Sequence, residues 1–192
     1  MQAFLVSTGL VALAEIGDKT QLLAFVLAAR YRRAWPIILG ILLATLLCHA
    51  LAGAVGATVI RLLGPDVLRW VLALSFFAMA AWIIVPDKLE ESATPLTARF
   101  GVFGTTVATF IVAEMGDKTQ LVTAALAARY ASFYAVVAGA TLGMMLTNIP
   151  AVLLGDRLAG WTPTRLMHAV AALIFVALGI LALFGYGTGL GG

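Results

Sequence analysis

An all-α, polytopic membrane fold is predicted for this 192-residue chain, with six transmembrane helices built as two inverted three-helix repeats. Hydrophobic residues make up 62% of the chain and charged residues 11%, and the mean hydropathy is +1.06. That is more apolar surface than a soluble core of this size requires. The length suits six spans at roughly 20 residues each plus short loops. The third observation is a duplication. Ala14-Glu15-Ile16-Gly17-Asp18-Lys19-Thr20-Gln21-Leu22, running on to Leu27-Ala28-Ala29-Arg30-Tyr31, recurs 99 residues later with 13 of 18 aligned positions identical.

The spans fall at about 4–29, 36–60, 68–86, 102–128, 133–155 and 166–186. The first has no Lys or Arg ahead of its apolar run and contains Glu15 and Asp18, so it reads as a retained span rather than a cleavable signal. The first and fourth carry the acidic motif within almost wholly apolar flanks. Trp35, Trp70, Trp82, Tyr31, Tyr130, Tyr134, Trp161 and Tyr186 fall near the span ends, as an interfacial aromatic belt predicts. The repeat extends beyond the motif: Gly40 aligns with Gly139, His49 with Asn148, Gly56 with Gly155 and Phe76 with Phe175.

One membrane domain results, with repeat 1 at about 1–86, a polar cytoplasmic linker at about 87–100, repeat 2 at about 101–186 and a glycine-rich tail at 187–192. Three spans per repeat force the copies to enter the membrane in opposite directions, an arrangement that recurs in secondary transporters. The loops after spans one, three and five hold Arg30, Arg32, Arg33, Lys88, Arg99, Arg157 and Arg165, against Arg61, Arg69 and Arg129 on the other side. The positive-inside rule then places both termini outside. No Lys/Arg cluster marks a nucleic-acid surface, and Cys48, the single cysteine, cannot form an internal disulfide.

Charge inside a span persists where it meets a partner, a cavity or an ion. Read as helix, Glu15 and Asp18 share a face, with Lys19 four residues from Glu15; Glu114, Asp117 and Lys118 repeat that spacing. If spans one and four pack together, four carboxylates converge near the midplane. Gly17 and Gly116 allow close backbone approach or a local loosening that exposes carbonyl oxygens. Thr20, Thr119, Gln21 and Gln120 add neutral oxygens. The donors are all hard oxygen, which suits Ca²⁺, Mn²⁺ or Mg²⁺ over Cu⁺ or Zn²⁺. Four acids and two lysines leave a charge to balance one divalent ion, and protons would compete with it for the same oxygens.

The bland reading is that Glu15–Lys19 and Glu114–Lys118 are neutralising i,i+4 pairs inside a bundle, which leaves Asp18 and Asp117 unexplained. His49 and Asn148, equivalent in spans two and five, line the path or relay a proton, or simply hydrogen-bond a neighbouring helix. Pro150 is a candidate kink in span five. An exporter of a small organic solute such as an amino acid, with acids for proton coupling and lysines for a carboxylate, is the alternative transporter. An intramembrane enzyme with the acids as general acid and base is a third class, disfavoured by the lack of a nucleophile–base pair.

The duplicated Glu-φ-Gly-Asp-Lys-Thr motif, in a six-span chain of this length, resembles the Gdt family of divalent cation/proton exchangers. The resemblance covers essentially the whole chain. It implies a bacterial inner-membrane exporter of Mn²⁺ (or Ca²⁺) and not an enzyme. Glu15, Asp18, Glu114 and Asp117 would be the cation-binding acids, and Lys19, Lys118, Thr20 and Thr119 the remaining motif positions. Mn²⁺ over Ca²⁺ rests on the resemblance alone. Lys19 and Lys118 are expected to act as counter-charges. No cofactor is expected. The partners are the lipid bilayer, the cation and protons, with a homo-oligomer allowed and no nucleic acid.

Overall fold

The computed structural model describes residues 1–63, 65–83, 101–154 and 164–184. The expected linker at 87–100 and tail at 187–192 lie outside them, as do Gly155, Trp161, Tyr186, Lys88, Arg99 and Arg157. Eight helices are present among the described residues: α1 (Gln2–Glu15), α2 (Lys19–Tyr31), α3 (Ala34–Leu62), α4 (Pro65–Ile83), α5 (Gly101–Glu114), α6 (Lys118–Tyr130), α7 (Phe133–Leu154) and α8 (Thr164–Leu183). Each half of the chain repeats one order: two short helices, a long one, then one of about 20 residues. Residues 34–59, 66–83 and 133–153 are long and apolar enough to cross a bilayer, while α1, α5 and residues 169–183 are shorter apolar helices.

The continuous helices expected at 4–29 and 102–128 are not what forms. Each is two helices of 14 and 13 residues with a break at the motif. The cause is local. Ile16 takes φ −63°, ψ 115° and Gly17 takes φ 80°, the dihedrals of a type II turn, which needs glycine at its third residue. The Asp18 N–H donates to the Glu15 carbonyl at 3.0 Å, and Asp117 N–H to Glu114 carbonyl at 3.0 Å closes the second copy. Gly116 has φ 77°.

The bundle interleaves its halves. α1 packs along α7, α3 along α5, α6 and α7, and α2 against α7. Small residues set these spacings. A methyl on Gly143 would come within 2.6 Å of the Thr8 carbonyl, and one on Gly40 within 2.8 Å of Thr106 Cβ. A methyl on Gly56 would collide with the Ala124 carbonyl of α6. α4 and α8 pack chiefly on each other. Phe76 and Phe175, the aligned pair, are stacked at 6.4 Å between ring centroids.

Apolar surface also faces outward, as lipid contact demands: Leu51, Leu74, Leu153 and Leu173 are exposed. Trp35, Trp70 and Tyr134 are exposed near helix starts, where an interfacial belt would hold them. Buried hydroxyls bond back within their own helices, Thr45 to Ile41 O (2.9 Å), Thr109 to Thr105 O (2.8 Å) and Thr123 to Thr119 O (2.7 Å), so they need no water. Pro150 lies inside α7.

Candidate cation site at the paired helix breaks

The two turns place Glu15 and Glu114 as the last residues of α1 and α5, and Asp18 and Asp117 as the caps of α2 and α6. Neither aspartate spends its side chain on capping its own helix, so both carboxylates stay available to the interior. All four acids are buried. Glu15, Glu114 and Asp117 each offer one carboxylate oxygen within 4.8 Å of the others. Oxygens spaced that way can share one ion at roughly 2.3–2.6 Å. Asp18 is outside that group of three.

The lysines answer to the opposite copy. Lys19 Nζ lies 3.2 Å from Asp117 Oδ1, and Lys118 Nζ lies 3.6 Å from Asp18 Oδ1. The local i,i+4 pairing of the bland reading is therefore replaced by reciprocal pairs between the halves, because the turn removes the helical register that would have set Lys19 over Glu15. Both oxygens of Glu15 and Oε1 of Glu114 are buried without a hydrogen-bond partner. Buried acceptors of that kind are costly, and a cation would satisfy them.

The neutral candidates divide. Thr119 Oγ1 donates toward Glu114 Oε2 (3.2 Å) and Asp117 Oδ2 (3.4 Å). Thr20, its counterpart, is buried with its hydroxyl unbonded. Gln21 Oε1 accepts from Gly17 N–H at 2.8 Å and Gln120 Oε1 from Gly116 N–H at 3.2 Å. Each glutamine thus bridges the turn ahead of its own helix. Gln21 Nε2 then donates to the Thr147 carbonyl of α7 at 3.4 Å. His49 Nδ1 is 3.3 Å from Thr141 Oγ1, linking α3 to α7, and Asn148 Nδ2 donates to Met144 O at 3.0 Å in its own helix. Neither belongs to the group of converging acids.

Two residues near the site were not singled out from the sequence. Cys48 of α3 lies close to Glu114 and Gln120, and Thr147, which receives Gln21, stands 99 residues after it. Each directly precedes one of the aligned residues His49 and Asn148, which is the signal in the sequence that links them.

The positive φ at Gly116 gives a test, because a Cβ there would meet nothing within 4 Å. Gly116→Ala is expected to lose roughly 1–2 kcal/mol through backbone strain alone, with Gly116→Asn losing less because asparagine tolerates this conformation. Thermal melts in detergent will rank wild type above Asn above Ala; equal melting of Ala and wild type would mean the turn is not held.

Apolar helices interrupted around convergent buried acids define a membrane transport protein. The family model described as divalent cation/proton antiporter GDT1 matches the chain twice, over residues 3–91 and 102–189. The chain is 46% identical over 185 residues to a Vibrio cholerae protein named as a candidate manganese exporter, covering 96% of this chain and 92% of that one. It is 28% identical over 210 residues to a GDT1-like protein of Synechocystis, covering 95% and 97%. With GDT1-like protein 5 of Arabidopsis thaliana it shares 26% over 220 residues, covering 95% and 96%. No solved structure matches it. The chain belongs to the GDT1 family, a family of transporters and not an enzyme class.

Proposed function

We propose that this protein exports a divalent cation, Mn²⁺ before Ca²⁺, across a bacterial inner membrane in exchange for protons, through one site shared by Glu15, Glu114, Asp117 and Asp18. The observation that carries the reading is the approach of three buried carboxylate oxygens, from both halves of the chain, to within 4.8 Å of one another. The preference for Mn²⁺ over Ca²⁺ leans on the name of the Vibrio relative; hard-oxygen donors suit both ions and disfavour Cu⁺ and Zn²⁺.

The proposed architecture is one membrane domain of two inverted three-span repeats, α1–α4 and α5–α8, in which α1 with α2 and α5 with α6 each make one broken span. Both termini would lie outside. Interrupted spans whose helix ends face an ion are how such transporters build a site. Asp18 joins the other three acids when Lys118 releases it. Thr20 and Thr119 complete the shell, and Gln21 and Gln120 hold the turns that carry the acids.

Exchange follows from competition. In the absence of the cation, protons and the two lysines neutralise the carboxylates; a divalent ion needs those oxygens bare, so binding expels protons. The shared titration belongs to the cluster rather than to one residue. Mn²⁺ added to weakly buffered, detergent-purified protein is expected to release protons. The apparent Kd should fall by up to about tenfold per pH unit for each proton displaced. Binding is thus weakest in acid and tightest in alkali. Binding that released no protons and was flat with pH would indicate a uniporter or channel.

A further inference from the structure

The two halves are nearly alike in the motif sequence but not in their surroundings. α4 packs on α6, and α8 packs on α1. Shifting each partner by 99 residues would bring α8 onto α2 and α4 onto α5, yet neither pair makes comparable contact among the described residues. The α4–α8 pair therefore leans toward the layer that holds α1 and α6 and away from the layer that holds α2 and α5.

Burial follows that tilt. Lys118 is 3% exposed where Lys19 is 25%. Ala128 and Arg129 near the end of α6 are buried, whereas their equivalents Ala29 and Arg30 on α2 are exposed. Each arginine sits over its neighbouring tyrosine, Arg129 at 5.6 Å and Arg30 at 5.7 Å from the ring centroid. Only the environment beyond differs: Arg129 Nη1 donates to the Leu178 carbonyl of α8 at 3.4 Å. That ties a helix of the bundle to the leaning pair.

We propose that Arg129 and Arg30 are alternate latches for the α4–α8 pair, engaged one at a time as the site is opened to the two sides of the membrane. In the state seen here Arg129 holds the α1/α6 layer shut. In the opposite state the α4–α8 pair swings onto α2 and α5, Arg129 lets go, and Arg30 reaches the carbonyl of Met79, which lies 99 residues before Leu178. The moving body is one helix from each half, seated on the Phe76–Phe175 stack, rather than one whole repeat rocking against the other. A guanidinium suits the task because its donors stay charged and bond a carbonyl without needing a carboxylate partner. The proposal rests on the antiport reading, since antiport requires two such states; under the orientation proposed above, the open layer of α2 and α5 faces the cytoplasm, where an exporter loads.

Paired reporters test it in a Cys48→Ser background, with single cysteines at Ala29 or Ala128 labelled by a maleimide in detergent. With both arginines intact, Ala29→Cys is expected to label fast and Ala128→Cys slowly. Adding Arg129→Met should speed labelling of Ala128→Cys roughly tenfold and slow that of Ala29→Cys, because the population moves to the other state; Arg129→Lys should restore the original pattern. A merely structural role would raise labelling at both sites, and parallel change or no change overturns the proposal. Arg30→Met covers the case in which Arg129→Met does not accumulate. Arg30 is exposed here, so its loss should leave the fold and fast Ala29→Cys labelling intact while cutting exchange at least roughly tenfold, through loss of the second state. Wild-type exchange by that variant would refute the pairing. The labelling arms need no cation, and the exchange arm is read against wild-type protein in matched vesicles. An error about the cargo therefore silences wild type and variant alike, while an error about the latch leaves them equal and active.

Discussion

Glu15→Gln and Glu114→Gln will each lower Mn²⁺/proton exchange in proteoliposomes by roughly 100-fold or more, equivalent to about 2.7 kcal/mol of lost cation coordination. Neither change is expected to weaken the fold. Both Glu15 oxygens are without a hydrogen-bond partner, and an oxygen of Glu15 lies within 4.8 Å of one from Glu114 and one from Asp117. An amide keeps the shape of the neutral carboxyl that the proposed exchange places in the cation-free site, so melting in metal-free detergent should hold. Asp18→Asn and Asp117→Asn should behave differently. Each deprives an ammonium of its carboxylate, Lys118 in one case and Lys19 in the other. Removing one partner of a buried ion pair is destabilising. Asp18→Asn, which faces the buried Lys118, should therefore lose stability as well as transport, and Asp117→Asn, which faces the quarter-exposed Lys19, should lose less. Wild-type exchange in all four amide variants would remove the site from the account.

Lys118→Met is expected to tighten apparent Mn²⁺ affinity by roughly tenfold, the equivalent of about 1.4 kcal/mol, and to slow turnover because the ion then leaves reluctantly. With Lys118 gone, the ammonium 3.6 Å from Asp18 no longer competes, and the cation keeps its oxygens. Lys19→Met should act in the same sense but less strongly. Its side chain is 25% exposed against 3% for Lys118, and solvent weakens an ion pair. Calorimetric titration of both variants, with exchange rates beside it, checks the order. Affinities and rates equal to wild type in both would mean the lysines only balance charge.

Much of this arrangement is legible along the chain because the duplication is so nearly intact. Composition indicates membrane helices, the offset of 99 residues pairs the acids, and Gly17 and Gly116 mark where the spans give way. Two things were hidden for physical reasons. Helical spacing arithmetic puts Lys19 one turn from Glu15, but a type II turn at Glu15–Asp18 cancels that register. The lysine's partner, Asp117, is nearly a hundred positions away, and no local rule reaches so far. The asymmetry was hidden more deeply. Arg30 and Arg129 occupy the same place in nearly identical segments, yet one is exposed and the other buried. Near-identical segments take different surroundings here because α4 and α8 pack on α6 and α1 and make no comparable contact with α2 and α5 among the described residues. His49 and Asn148 are equivalent in sequence, but the fold gives His49 a contact with Thr141 of α7 and Asn148 a bond within its own helix.

Locating the ion decides whether one site is shared by the two halves. Crystals or vitrified particles of the purified protein in Mn²⁺ at alkaline pH should show one strong, manganese-specific density per chain, between the breaks that separate α1 from α2 and α5 from α6. It should lie roughly 2.0–2.6 Å from carboxylate oxygens of Glu15, Glu114 and Asp117, and fade as the pH is lowered. Density at some other place, or none under conditions where the protein exchanges Mn²⁺, would contradict a shared site built from both halves.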